Sequence, residues 1–399
     1  MPADKKSRPT KKSTKTIDPR SLSGFKFFNL LGDLFQSLHD DGTQRDKADN
    51  RSLYYDHYAM LLLLYYFNPV VESLRGIQQF STLDKVQKKL GVSKTSLGSL
   101  SEAARVFDPA LLQPIIAQLA ERANHTPQSF PPADQAALRG LVAVDGSLLR
   151  AVPRMAWALW QDETHRAVKV HTAFSVWSQV PTQVSVTHGN GSERNEFRKM
   201  VEPGGFYVAD RGYADYDLFR EIDEGGARFV IRVQKNAVYD VAEEHEITPE
   251  NREAGVLKDV TLRRLGTDKH NRLLDRPLRL LEVQGDEPDQ IWVLVTNQLE
   301  LSADLIVMAY RYRWQVELFF RWMKCVLGCR RLINESEEGV QIQVYLAIIA
   351  SLLMGLWTDG KVTKRGYEMV CHYLSGWASE EEVIDFMLKQ KRSNGPPGK

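Results

Sequence analysis

Leu141-Val142-Ala143-Val144-Asp145-Gly146-Ser147 is a run of four apolar residues closed by an acid and two turn-formers. A short continuous apolar run bounded by turn residues predicts a strand buried on both faces. The same grammar recurs at Phe206-Tyr207-Val208-Ala209-Asp210-Arg211-Gly212-Tyr213. Each strand would end on an aspartate at its carboxyl end, where open α/β sheets place their ligands. An Asp after a strand also serves commonly as a turn residue or helix N-cap. Between and beyond the two runs, Ala167 to Val176 reads as a further strand, Gly189 to Glu193 as a turn, Tyr216 to Ile222 as a helix and Arg228 to Val233 as the next strand. Strands alternating with helices predict a mixed α/β sheet covered by helices on both faces.

A third acid comes from a helical pattern further on. Tyr310, Arg313, Glu317 and Lys324 stand in the spacing Tyr-x2-Arg-x3-Glu-x6-Lys. At about 100° per residue, these four fall within an arc of roughly 60°, with Arg321 on the same side. Tyr312, Val316, Phe319 and Met323 follow a separate apolar stripe, so one helix could anchor in a core and present its charged stripe outward. Each residue alone fits a solvated helix face; the combination suits holding a phosphodiester beside a metal.

Asp145, Asp210 and Glu317, with the Tyr-Arg-Glu-Lys stripe, resemble the DDE transposases of bacterial insertion sequences, specifically the insertion-sequence-four family. The separations of 65 and 107 residues between successive acids fit that family. The resemblance covers about 140–330 by motif. It implies a ribonuclease-H-like core with a β-rich insertion, for which Gln234 to Leu299 is the expected place. It also implies two divalent metals, magnesium with manganese able to substitute, and cut-and-paste DNA transposition through a hairpin on the element ends. Asp145 would bridge the metals, with Asp210 and Glu317 each completing one site. Arg313 and Lys324, with Arg321 beside them, would hold phosphates, and Tyr310 would pack on the backbone or a displaced base. In relatives, a tryptophan of the insertion stacks on a flipped base, and Trp292 is its positional match; a Trp buried in a strand fits the same residue equally. Coordinating two ends requires a homodimer on double-stranded DNA.

Composition agrees. With 399 residues and 43% hydrophobic content, the chain can bury a large core. Three cysteines argue against a disulfide scaffold and fit a reducing cytoplasm; the resemblance implies a bacterial, nucleoid-associated protein. Met60 to Phe67 and Tyr345 to Trp357 are too short to span a bilayer and read as core helices, so no membrane role is expected. The N-terminus lacks an apolar signal segment. The net charge of +1 conceals basic patches. Residues 1–20 hold seven cations against two acids, 311–331 six against one, and 252–279 eight against four. Local clusters, rather than the total, govern phosphate binding.

These signals divide the chain into a disordered basic tail (1–20), a helical DNA-binding region (21–123), a Pro-rich linker (124–139), the catalytic core (140–330) with its insertion at about 234–299, and a helical C-terminal region (331–399). Leu83 to Ser96 resembles a helix-turn-helix with Gly91 in the turn and Ser93 as the second cap; many αα-hairpins share that pattern. The segment Lys85 to Leu100 is the expected groove reader for end recognition.

Two other motifs are set aside. Gly355-x4-Gly360-Lys361 lacks the Ser or Thr of a P-loop, Val362 standing there instead, so no ATP use is expected. Cys325, Cys329, Cys371 and His372 lack zinc-knuckle spacing, and no His-x3-His pair occurs among nine histidines, which favours an all-oxygen site. A metal-dependent endonuclease without strand transfer and a non-catalytic DNA-binding regulator are the competing readings.

Overall fold

The structure is a computed structural model that describes residues 26–42, 52–123, 139–267, 274–358 and 362–393. The expected basic tail, most of the linker, Gly360, Lys361 and the last six residues lie outside the described residues.

Ten strands form one mixed sheet: β1 (Leu141–Arg150), β2 (Leu159–Trp160), β3 (Asp162–Ser175), β4 (Val180–His188), β5 (Phe206–Ala209), β6 (Arg228–Val233), β7 (Tyr239–Glu244), β8 (Val256–Leu265), β9 (Leu278–Gln284) and β10 (Ile291–Thr296). The order is β4-β3-β1-β5-β6-β10-β9-β8-β7, with β2 also pairing β3. β1, β5 and β6 run parallel, and all other pairs are antiparallel. The segment expected as an insertion is β-rich, as the resemblance implied. It extends the sheet, because β10 pairs with β6 and β9, β8 and β7 follow as a meander.

Side chains alternate across a strand, and the central strands use both faces. Phe206 and Val208 join one core while Tyr207 and Ala209 join another; Val230 faces the first and Phe229 and Ile231 the second. The second face is covered by α7 (Glu193–Met200) and α8 (Tyr216–Glu224), through Phe197, Met200, Leu218, Phe219 and Ile222. The first face carries α10 (Ala303–Tyr312), α11 (Trp314–Cys325) and α12 (Glu337–Thr358), while the short α9 (Pro249–Glu253) precedes β8.

Ahead of the sheet lie α1 (Lys26–Asp41), α2 (Tyr55–Tyr66), α3 (Leu74–Ser81), α4 (Asp84–Leu90), α5 (Leu97–Val106) and α6 (Gln113–Ala123); α13 (Lys364–Leu374) and α14 (Glu380–Ser393) close the chain. The C-terminal region is more central than a tail. α12 is apolar all round, as a helix enclosed by protein must be, and packs against α2, α5, α6 and β4. It is long and apolar enough by composition to cross a membrane, yet 89% of its most apolar window is buried inside the protein. The two helical ends therefore share one core with the first sheet face.

Three local expectations are corrected. β1 continues through Asp145 to Arg150, because β3 keeps pairing on one side after β5 has ended on the other. The cap after Gly91 is Ser96, whose Oγ accepts from Ser99 N at 3.0 Å, so six residues separate α4 from α5, longer than a helix-turn-helix turn. The charged stripe spans two helices that abut at Arg313. There Arg313 N bonds Tyr310 O and Val316 N bonds Arg313 O, a tightened i to i+3 turn. No Gly or Pro between 303 and 325 announces it.

Candidate active site

Parallel pairing places Val144 beside Ala209, so Asp145 and Asp210 follow immediately at matched ends of neighbouring strands. Asp210 remains extended (φ −84°, ψ −176°), so the alternation carries on through it. Asp145 then shares parity with Leu141 and Ala143, and Asp210 with Phe206 and Val208, all on the face covered by α11. α11 lies across β1 and β3, anchored by Val316, Phe319 and Met323, with Phe319 5.4 Å from the Phe174 ring centroid. That seating brings Glu317 to the two aspartates.

Each aspartate is held by its own turn. Asp145 Oδ1 accepts from Gly146 N at 2.8 Å, and Asp210 Oδ1 from Gly212 N at 2.7 Å. Burial pushes the Asp145 carboxyl up to about 7; the Gly146 N–H and Arg313 oppose the rise, and Asp210 and Glu317 add to it. Arg313 Nη1 lies 2.6 Å from Glu317 Oε1, with the guanidinium 5.8 Å from the Tyr310 ring centroid. Lys324 is half-buried; burial lowers its pKa, and Asp145 is among the groups that hold it up.

The structure thus gathers Asp145, Asp210, Glu317, Arg313 and Lys324 about one charged centre. Tyr310 lies beneath them, 3% exposed, its edge against Trp292 at 5.2 Å between centroids. Trp292 is itself only 8% exposed, since it shares a strand face with Leu294 toward the first core. In this arrangement its ring is a packing element, and stacking on a flipped base would require it to leave that core. Arg321 is exposed on the outer side of α11.

Sequence reasoning missed three contributors. A Cβ on Gly146 would stand 3.2 Å from Glu193 Oε1, and one on Gly212 would stand 3.2 Å from Glu193 Oε2. Glu193 pairs with Lys169 at 3.1 Å. Tyr213, 1% exposed, has a hydroxyl with no hydrogen-bond partner among the described residues. The available signal was Gly191-Ser192-Glu193, a helix start in which Ser192 caps Asn195 N, together with glycines soon after both aspartates.

The donors at the strand ends are carboxylate oxygens only, the set that hard divalent cations such as magnesium or manganese prefer. A buried carboxyl that keeps its proton to about pH 7 beside further acids is the state a divalent cation would relieve. Asp145, Asp210 and Glu317 do not all lie within 4.8 Å of one another, a spread consistent with like-charge repulsion. Among the described residues the group that does is His39, Asp56 and His57, in which Asp56 Oδ2 is 3.0 Å from His39 Nδ1. Its nitrogen donors suit softer metals.

A mixed sheet that sets acids at the ends of two parallel strands beneath a crossing helix bearing a third defines a carboxylate-centred α/β protein. The chain belongs to the transposase DDE domain family, whose profile matches residues 137–353. It is 32% identical over 191 residues to a transposase-named protein of Sinorhizobium fredii, covering 47% of this chain and 53% of that one. It is 30% identical over 205 residues to a probable transposase for insertion sequence element IS5377 of Geobacillus stearothermophilus, covering 50% and 52%. A transposase-named protein of element IS4SA from Synechocystis is 23% identical over 217 residues, covering 53% and 59%. The chain therefore spans about half the length of the relatives it matches. Among solved structures, a piggyBac transposase synaptic complex with hairpin DNA aligns over 96% of this chain and 84% of that one, with 13% identity and a TM-score of 0.39, a likeness too loose to carry a structural argument.

Proposed function

We propose that this chain is a DNA transposase that cuts at the ends of a mobile element and joins the freed ends to target DNA, with Asp145, Asp210 and Glu317 as its magnesium-holding residues. The observation that carries the reading is the pairing of Val144 with Ala209, which sets two aspartates side by side beneath the helix that bears Glu317. Asp145, Asp210 and Glu317 would hold divalent cations, which would supply Lewis-acid activation of the attacking and leaving oxygens of an in-line displacement at phosphorus. The chain's residues do the positioning. The Gly146 and Gly212 N–H groups fix one oxygen of each aspartate, leaving the others free to bind. Arg313 orients Glu317 and favours the ionised form of Asp145. Exposed Arg321 and half-buried Lys324 contact DNA phosphates, which place the strand without reading its sequence. Exchanging one phosphodiester for another needs no ATP. The finer course is a hairpin on the element ends, processed by a homodimer that holds two of them.

The test is incubation of the full chain and magnesium with a plasmid carrying the DNA that flanks its reading frame. Nicked ends and joined products are expected. Asp145→Asn, Asp210→Asn and Glu317→Gln should bind end DNA while giving neither product. Cleavage with no joining of pre-cleaved ends would identify a nuclease instead, and activity surviving in all three variants would remove the site.

A further inference from the structure

Glu193 occupies a place that a surface acid has little reason to take. It is the first residue of α7, on the far side of the sheet from α11, yet its carboxylate reaches the strand ends. One oxygen lies against Gly146 and the other against Gly212, the residues whose N–H groups hold Asp145 and Asp210. Both positions lack a Cβ, and at 3.2 Å either Cβ would crowd the carboxylate. Arg194, the next residue, donates Nε to Gly212 O at 3.3 Å and so ties α7 to the second turn.

The local charge balance is the second observation. Asp145 and Asp210 at matched strand ends, with Glu317 on the helix that crosses them, already bring three acidic side chains together here. A further carboxylate there is unfavourable unless a cation compensates it. The compensation visible for Glu193 is one cation, Lys169 at 3.1 Å, whose Nζ also donates to Gly191 O at 3.3 Å. Beneath them, the Tyr213 hydroxyl is buried without a partner among the described residues, within the field of Asp145, Glu193 and Asp210 together. An orphaned hydroxyl among three carboxylates is a polar group still lacking an occupant to bond.

We infer that Glu193 is a fourth carboxylate of the metal centre, facing the same divalent cations as Asp145 and Asp210 from the opposite side of the strand ends. It rests on the metal-centred reading of the site given above. Lys169 is its positioning residue, holding the carboxylate between the two glycine turns until a divalent cation shares it. Glu317 approaches from α11 on one face and Glu193 from α7 on the other, so the cations would be gripped across the sheet's edge.

The test is manganese binding to the full chain, followed by electron paramagnetic resonance and calorimetry without DNA, so that turnover plays no part. Glu193→Gln keeps the side chain's length and helix position, and should weaken manganese binding roughly 10–100-fold, the scale seen when groups supporting a metal centre are lost. Glu193→Asp, which retains the charge, should recover part of the loss. Lys169→Met should leave the stoichiometry unchanged and shift affinity less than Glu193→Gln. Glu317→Gln reports on the underlying reading. If Glu317→Gln loses manganese while Glu193→Gln binds like the parent, the inference is overturned and Glu193 serves only the helix start. Parent protein that takes up no manganese, or Glu317→Gln binding unimpaired, overturns the metal-centred reading and the inference with it. Gly146→Ala guards against a Glu193→Gln variant that fails to fold: it crowds Glu193 without changing charge, and must lower affinity too if the carboxylate is a ligand.

Discussion

Asp145→Asn should stabilise the metal-free protein, by an amount that depends on pH. In the folded chain this carboxyl titrates at about 7, against an ordinary 3.8, with burial the main cause. Between those values the folded state holds a proton that the unfolded state has released, so stability falls as pH rises from about 4 to about 7 and is level above that. At 1.36 kcal/mol per unit, keeping Asp145 ionised at pH 8 costs on the order of 4 kcal/mol. Asparagine escapes the cost and can still accept from Gly146 N through Oδ1. Urea unfolding of both proteins in chelator, at intervals from pH 4.5 to 8, isolates the effect as a difference in which other titrating groups largely cancel. The advantage of the asparagine variant should grow through pH 5 and 6 and level off above about 7. Magnesium should reverse the order, because only the parent gains binding free energy from a cation that favours the folded state. A difference that is flat across the whole range would refute the assignment of a buried, proton-retaining acid to this position.

Other outcomes follow from the same geometry. Arg313→Gln removes the cation that opposes the rise at Asp145, so the acid limb of the cleavage rate profile should move to higher pH; an unchanged profile would make Arg313 a helix-junction residue only. Arg321→Ala should lower the slope of log affinity against log salt by about one unit per lost phosphate contact, measured by fluorescence anisotropy on end DNA, with little effect on folding. Phe319→Lys buries a charge between α11 and Phe174, and should cost about 3–5 kcal/mol or prevent folding, read by circular dichroism melting. Asp259→Ala leaves Arg279, 7% exposed, without the carboxylate that it grips at 2.6 and 2.8 Å. A loss of about 3–5 kcal/mol is expected, while Arg279→Met with Asp259→Leu should recover much of it.

The parts legible in the sequence were those fixed by short-range pattern. The runs ending at Asp145 and Asp210 are strands because four consecutive apolar residues must be buried on both sides; the strand expected at Arg228 to Val233 is present, and the helix expected at Tyr216 to Ile222 runs Tyr216–Glu224. The apolar stripe through Val316, Phe319 and Met323 found the buried face of α11. What stayed hidden depended on partners far away in the chain. β4 went unread in the sequence: it alternates Val184 and Val186 but begins beside Pro181, a residue uncommon inside strands, and it is its pairing with β3 that makes it a strand. Glu193 looked like a turn residue until the sheet set its helix beside Gly146 and Gly212. The junction at Arg313 has no local signature, so the stripe read as continuous. Trp292 was legible as a strand residue, but not which face it would take.

The enclosure of α12 by the N-terminal helices has a consequence for how the chain comes into being. α2 is almost wholly apolar, and its covering helix begins at Glu337, some 280 residues downstream. At about 5–20 residues per second, a ribosome needs roughly 15–60 s to supply that partner. Throughout that interval the part of α2 that α12 will cover waits exposed, a natural client for chaperones and a risk for aggregation whenever synthesis outpaces them. Emergence of α12, rather than completion of the central sheet, thus sets the earliest moment at which the molecule can close.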